Sequence, residues 1–493
     1  MKVMFVIRDL SLIEHLGVMY LSSIAKESGH DSSLAVINEH NILSILEGGL
    51  PDLLAFSIMS VDASVFNSLT KAIKERYPKI FIVAGGPHCT FNQDIIDSWP
   101  IDALIAGEGE VPFRELLLCL EKGNDYSSIK NIHTKQKKNK LGDLIEDLDV
   151  LPDPDRELVY YKGGHLRDMN IKSFMTSRGC AFKCSYCFNN AYNKLYSQKG
   201  KVVRRRSVDR IIAEIKNVRK GYCIDFVRFG DDVFCYAKDD WLEEFSNKYH
   251  REIGLPFYCL IRPNLITDEM AQLLSRAGCY SISMSIEAGS EELRYKVLNR
   301  SMSNKVILNA FKIADKHNIH VFANAMLGLP FATTRDELIT LEMVAKCNPS
   351  FPSFSIFTPF KGVELTELAE KHHLINQEVK DSTGIISVLN CFSDKEKRIQ
   401  VNIMHLGAVA CRFPGLRQLI MNYLIYLPPN GVFFLIWFIS KNYLMTKYIF
   451  PVKASIPKKI KYVFKIFLYE FPRLKFNLAN RFLSKRIKVT VKS

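Results

Sequence analysis

A second closely spaced pair of cysteines is missing from this 493-residue chain. Of its 12 cysteines, Cys180, Cys184 and Cys187 stand together and the others are scattered singly, mostly in apolar runs. Structural zinc sites close with a second ligand pair, so the absence argues against zinc at the triplet. Also missing is a Gly-x-Gly-x-x-Gly after the first apolar run, Val3–Ile7. That argues against a bound dinucleotide. No run reaches the roughly eighteen apolar residues that span a bilayer. There is no internal repeat and no long low-complexity tract, which sets aside solenoids and disordered chains. The opening Met1–Ile7 reads as a buried strand, not a targeting segment. With cysteines not spaced for disulfides, the expected location is a reducing cytosol.

Acidic residues are scarce at one end only. From Lys441 to Ser493 there are 14 Lys/Arg and one acid, Glu470, a net of +13 out of +14 for the chain. The remainder is therefore nearly neutral. A uniformly basic surface would suggest nucleic acid; this polarised charge does not, and no nucleic-acid partner is expected. Lys458–Lys488 interleaves Lys and Arg with Phe, Tyr, Leu and Ile. That pattern suits an element lying on anionic lipid at the inner face of the membrane. The other reading is a helical cap with a solvated basic face. Ahead of it, Leu416–Leu427 and Val432–Ile439 are dense in apolar residues and are separated by Pro428-Pro-Asn-Gly431.

The chain is 47% hydrophobic, enough for two or three cored domains. Over residues 1–145 apolar strands alternate with amphipathic helices. Expected strands are Val3–Ile7, Leu34–Ile37, Leu53–Ser57, Ile80–Ala84 and Ala103–Ala106. Such alternation predicts a doubly wound parallel sheet, an α/β fold, with ligands at the carboxyl ends of its strands. Ser57, Gly85 and Gly86 sit at those ends, as does Gly107-Glu-Gly-Glu110. Residues 146–170, with Leu151-Pro-Asp-Pro154, read as a linker. Over 171–375 six strand-helix units recur, which predicts a partial (β/α)6 barrel. In barrels the working groups occupy the carboxyl ends of the strands. Residues 376–493 read as a mainly helical C-terminal region.

The triplet lies in Ser177-Arg-Gly-Cys-Ala-Phe-Lys-Cys-Ser-Tyr-Cys-Phe188, directly after the first strand of that barrel. Three thiolates can hold three irons of a cubane and leave the fourth iron open, whereas complete structural clusters take four cysteines. The segment resembles the signature of radical S-adenosylmethionine (SAM) enzymes. The resemblance implies a [4Fe–4S] cluster held by Cys180, Cys184 and Cys187, with SAM on the open iron. It implies reductive cleavage of SAM to a 5′-deoxyadenosyl radical, with the electron coming from a flavodoxin- or ferredoxin-type donor. Residues 1–145 resemble the cobalamin-binding domain of one subgroup of these enzymes, through His15-Leu-Gly17, Ser57, Gly85-Gly-Pro-His88 and Gly107-Glu-Gly-Glu110. The Asp-x-His-x-x-Gly of histidine-ligating cobalamin domains is broken here by Ile13 and Val18, so cobalt ligation by His15 is not expected.

The subgroup also carries an acidic pair where Asp231 and Asp232 stand, and a Gly-Ile-Glu-Ser-Gly-Ser where this chain has Ser285-Ile-Glu-Ala-Gly-Ser290. The resemblance places Glu287 near the SAM and makes Asp231 and Asp232 cofactor-binding candidates. The implied reaction is methylation of an unactivated carbon of a hydrophobic or lipid-like substrate. A radical rearrangement or cyclisation without methyl transfer stays open, as does a non-catalytic iron–sulfur redox sensor at the membrane surface. A methylthiotransferase would need further N-terminal cysteines, and only Cys89 and Cys119 lie there.

Overall fold

The computed structural model describes residues 1–10, 13–162, 164–375, 384–451 and, further on, 463–464, 466–467 and 470. Most of Lys458–Lys488 lies outside these. The chain divides into two units. The first holds residues 1–182, 188–224 and 360–362, and the second holds 183–187, 225–359 and 363–493.

In the first unit, β1 (Lys2–Ile7), β2 (Asp31–Val36), β3 (Leu53–Ser57), β4 (Phe81–Gly85), β5 (Ala103–Ile105) and β6 (Ile132–His133) form one sheet. Its order is β2-β1-β3-β4-β5-β6, parallel except for β6. The expected doubly wound sheet is present. Successive residues of a strand face opposite sides. Val3, Phe5 and Ile7 enter one core, and Met4 and Val6 the other. Strand order reverses between β1 and β3, and ligands of such sheets bind at that crevice. Leu148, Leu151, Leu158, Val159 and Tyr160 are buried in the core that holds Val3 and Phe5. The same unit contains β7 (Ile171–Phe174) and an antiparallel pair, β8 (Ser177–Arg178) with β9 (Arg204–Arg205).

In the second unit, β10 (Phe226–Phe229), β11 (Phe257–Leu260), β12 (Cys279–Ser283), β13 (His320–Leu327) and β14 (Phe351–Ile356) are neighbours in sequence order and all parallel. With β7, the six strands expected for the radical SAM region all form. The last begins three residues earlier than the apolar pattern suggests, because Pro352 is tolerated on an edge strand. Helix Asp394–Arg412 packs against β14, and Gly407 admits the Phe354 ring, which would lie 2.5 Å from a Cβ. Helices Pro414–Asn422 and Gly431–Leu444 pack on that helix in turn. The turn Met445–Ile449 closes the amino ends of the strands: Tyr280 and Ser281 donate hydroxyl hydrogen bonds to the Lys447 and Ile449 carbonyls at 3.1 and 2.7 Å. Among the described residues, no helix is long and apolar enough to cross a membrane.

Candidate active site

In the second unit the part of the cysteine loop from Lys183 to Cys187 is anchored by Ser185. Its hydroxyl donates to the Val297 carbonyl (2.5 Å), its N–H to the Leu298 carbonyl (3.1 Å), and its carbonyl accepts from the Leu365 N–H (2.8 Å). Cys184 is buried and Cys187 half-buried, and neither is in a disulfide. The Arg262 guanidinium donates to the Cys184 sulfur at 3.5 Å, and Arg300 also acts on that sulfur.

Arg300 extends the site. Its Nη2 donates to the Ser285 carbonyl (2.7 Å) and its Nη1 to the Tyr186 hydroxyl (3.0 Å). That hydroxyl donates to Glu287 Oε1 at 2.9 Å. The residue between two of the cysteines is thus tied to the carboxylate at the end of β12. Glu287 holds a left-handed backbone, φ +68°, a sparsely populated conformation for a non-glycine residue. The sheet fixes it there: the Glu287 N–H donates to Asn324 (3.3 Å) and its carbonyl accepts from Met326 (2.7 Å). Burial raises the Glu287 pKa, against the pull of Arg300 and Tyr186.

The other part of the loop lies in the first unit. Gly179 (φ +88°) cannot carry a side chain, because the Val202 carbonyl oxygen lies 2.0 Å from where a Cβ would be. Cys180 is half-buried and in no disulfide, and its carbonyl accepts from Asn193 (2.8 Å). Arg178 pairs with Glu110 (2.6 Å) and Glu108 (3.3 Å), and Arg204 with Glu108 (2.8 Å). Burial alone would raise the Glu110 pKa, but Arg178 holds it below the usual range. Gly107 has no Cβ because the Tyr196 hydroxyl occupies that space; this hydroxyl accepts from the Glu108 N–H (2.9 Å) and from Asn131 (3.1 Å). Gly107-Glu-Gly-Glu110 is therefore an ion-pair junction with the residues just before Cys180. Arg178, Arg204, Tyr196 and Asn131 escaped the sequence reading, since nothing local marks partners 65 to 96 residues apart.

At the crevice between β1 and β3, Ser57 is half-buried on the last turn of its strand and pairs with Gly85. Gly86 has φ +95°, and a Cβ there would lie 3.0 Å from the Ile58 N and O. Its small size admits the Ile58 backbone. His15 caps the following helix, and its Nε2 lies 2.9 Å from the Asp9 carbonyl oxygen. Large apolar side chains stand exposed after both strands: Ile13 (49%), Met59 (49%) and Val61 (57%). An apolar crest at a strand-order reversal fits a broad macrocycle with apolar edges. The acidic pair separates, with Asp231 buried and Asp232 exposed. Leu327-Gly-Leu-Pro330 is held from below, where the Gly328 N–H donates to buried Glu337 (2.8 Å).

Among the described residues no three His, Cys, Asp or Glu side chains converge on one metal ion. A cubane makes no such demand, because each cysteine binds a different iron. None of the three cysteines is in a disulfide, and in the second unit Cys184 is buried against a guanidinium donor, a donor chemistry that fits that group.

Comparison with known proteins agrees with both halves of this geometry. The model of the radical SAM superfamily matches residues 174–344, and that of the B12 binding domain matches residues 5–117. The chain carries a B12 binding domain followed by a radical SAM domain. An uncharacterized methyltransferase of Pyrococcus horikoshii is 26% identical over 373 residues, covering 73% of this chain and 79% of its own. The radical SAM methyltransferase TsrM of Kitasatospora setae, solved with cobalamin and a [4Fe–4S] cluster, superposes with TM-score 0.61 at 16% identity over 78% of this chain and 79% of its own. The cobalamin-dependent SAM radical enzyme OxsB, solved with aqua-cobalamin, reaches TM-score 0.63 at 13% identity over 96% of this chain and 76% of its own. The fold is theirs. The cofactors are a [4Fe–4S] cluster, SAM and cobalamin, and several relatives are methyltransferases, among them TokK of Streptomyces tokunonensis, 32% identical over 28% of this chain and 22% of its own.

Proposed function

We propose that this enzyme methylates an unactivated carbon of a hydrophobic or lipid-like small molecule. The bound groups supply radical formation and a transferable methyl. Cys180, Cys184 and Cys187 are the cluster ligands in this reading. Arg262 donates to the Cys184 sulfur and holds it in place. Tyr186 fixes the Glu287 carboxylate, which orients SAM. Ser57, Gly85 and Gly86 line the corrin crevice, with Ile13, Met59 and Val61 excluding water. Asp231 serves from the buried side of its loop, and Asp232 meets solvent-borne groups. The electron comes from a flavodoxin- or ferredoxin-type protein. Residues 1–145 carry cobalamin, 146–170 connect, 171–375 carry the radical chemistry and 376–493 are accessory.

The observation that carries the reading is the single hydrogen-bond chain from Arg300 through Tyr186 to Glu287, which links the cysteine loop to a strand end. The test is anaerobic reconstitution with iron, sulfide and cobalamin, followed by dithionite and methyl-labelled SAM. About four irons per chain and 5′-deoxyadenosine are expected. Cys184→Ala should lose both. Stoichiometric zinc without iron uptake sinks the cluster assignment. Supplied with hydrophobic acceptors, the enzyme should release methylated product in proportion to 5′-deoxyadenosine. Deoxyadenosine without methylated product points instead to rearrangement or ring closure.

The hydrophobic substrate is inferred from the tail. Each basic residue near an anionic leaflet contributes about 1 kcal/mol, so a third of the tail's 14 engaging would suffice for reversible attachment. The enzyme is then cytoplasmic and peripheral.

A further inference from the structure

The described part of the C-terminal region carries a feature that the tail's charge does not explain. Helix Gly431–Leu444 buries Phe433, Phe434, Trp437 and Phe438, the face it turns to helix Asp394–Arg412. On an isolated surface helix the opposite face is polar. Here it is not: Val432, Leu435 and Ile439 recur at helical spacing and are 65%, 49% and 58% exposed. Helix Pro414–Asn422 repeats the pattern. Ile420 is buried, while Leu416, Leu419 and the following Tyr423 stand out in solvent. From Phe413 to Ser440 there is no acidic residue and one basic one, Arg417. Exposed apolar faces of this extent mark interaction sites.

We propose that the outer faces of these two helices form an in-plane docking surface for an anionic bilayer. The partner is chosen by charge. A protein partner in water needs a polar rim of both signs around its apolar centre, and this segment offers no acid. Its borders carry Arg412 and Lys447, while Lys441 is paired with buried Glu470 at 2.8 Å, and the sequence beyond adds the basic tail. With Glu470 neutralised by Lys441, the border charges left to solvent are cationic, and such an apolar face is complementary to acyl chains beneath anionic headgroups. Tyr423 and Tyr443 are both exposed, and Tyr is a residue that settles at the headgroup level. This deepens the peripheral reading above by moving the apolar contact from the tail to the folded helices, with the tail supplying charge alone.

The experiment uses the full chain and vesicles of neutral lipid or of neutral plus anionic lipid. Wild type should sediment with anionic vesicles at low salt. The double variant Leu435→Glu/Ile439→Glu should bind at least tenfold more weakly, with circular dichroism and cobalamin binding unchanged. Val432→Ser/Leu435→Ser gives a milder second variant should the first misfold, with a loss of several-fold expected. A chain ending after Phe450 should bind weakly yet still lose that residue of binding on Leu435→Glu/Ile439→Glu. If both face variants bind like wild type while the shortened chain does not, the tail alone attaches the enzyme. The docking surface is then wrong and the peripheral reading stands. If wild type stays in the supernatant, both fall. If light scattering instead shows dimers that the face variants dissolve, without vesicle binding, the occupant is a second copy and the proposal is overturned.

Discussion

His15 is placed where a cobalt-ligating histidine would sit, yet its Nε2 already faces the Asp9 carbonyl oxygen at 2.9 Å. Burial lowers its pKa, and Asp9 opposes that shift. His15→Ala should therefore leave cobalamin affinity within about twofold of wild type, measured by the visible spectrum on titration. A large loss would mean that the ring leaves Asp9 for cobalt. Glu337 carries a different prediction. Burial raises its pKa from 4.5 to about 8, against the pull of Gly328 and Gln400. Between those values the folded chain keeps a proton that the unfolded chain gives up. Stability therefore falls as pH rises through this window and levels off above it. The upper bound on the loss is about 5 kcal/mol, at 1.36 kcal/mol per unit. Glu337→Gln cannot ionise and should flatten the dependence. The gap in thermal midpoint, variant minus wild type, should widen from pH 5.5 to 8.5.

At the level of elements, the strands and most helices were legible because their periodicity is local. Leu53–Ser57 and Phe226–Phe229 fall where the apolar runs place them. The cysteine triplet was legible for the same reason, since its meaning lies in spacing. Gly107-Glu-Gly-Glu110 shows the limit. Its position at a strand end was readable, but its role as an ion-pair junction depends on Arg178 and Arg204, far along the chain. Gly86 likewise was readable as a small residue at a strand end, but the close Ile58 backbone that its size admits was not. The junction is testable. Breaking a buried pair by removing one partner costs about 3 kcal/mol or more, because the other charge stays buried. Arg178→Ala should lower the thermal midpoint of the cofactor-free protein by several degrees. Adding Glu110→Gln should restore part of the loss. If Arg178→Ala is neutral, the carboxylates are solvated and the junction does not hold.

On the scale of the whole molecule, the class of enzyme could be read from two motifs and one alternating pattern, while the surface could not. Composition reports that apolar residues are abundant in Leu416–Ile439. It does not say that Leu416, Leu419, Val432, Leu435 and Ile439 stay outside when the helices pack. Only the fold sorts buried from exposed on a helix that is apolar all round. Packing likewise decides where the tail begins. Residues 441–450 complete the helix and the turn that carries the Lys447 and Ile449 carbonyls, so they belong to the barrel. Ile466 and Phe467 pack on Phe434, Trp437 and Phe438 as well, so deleting 441–493 should yield aggregated protein on gel filtration, whereas deleting 471–493 should yield a soluble chain that still binds cobalamin.

That closure also sets the order of events during synthesis. The edge of β14 is covered by Asp394–Arg412, and the amino ends of the strands are sealed by Met445–Ile449. A ribosome must therefore release nearly the whole chain before the second unit can bury its last apolar surfaces. Until then the nascent chain exposes an unshielded strand edge, the kind of surface that chaperones hold. The first unit can fold early, while the second completes itself late. In the function proposed above, loading of iron at Cys184 and Cys187 then follows translation.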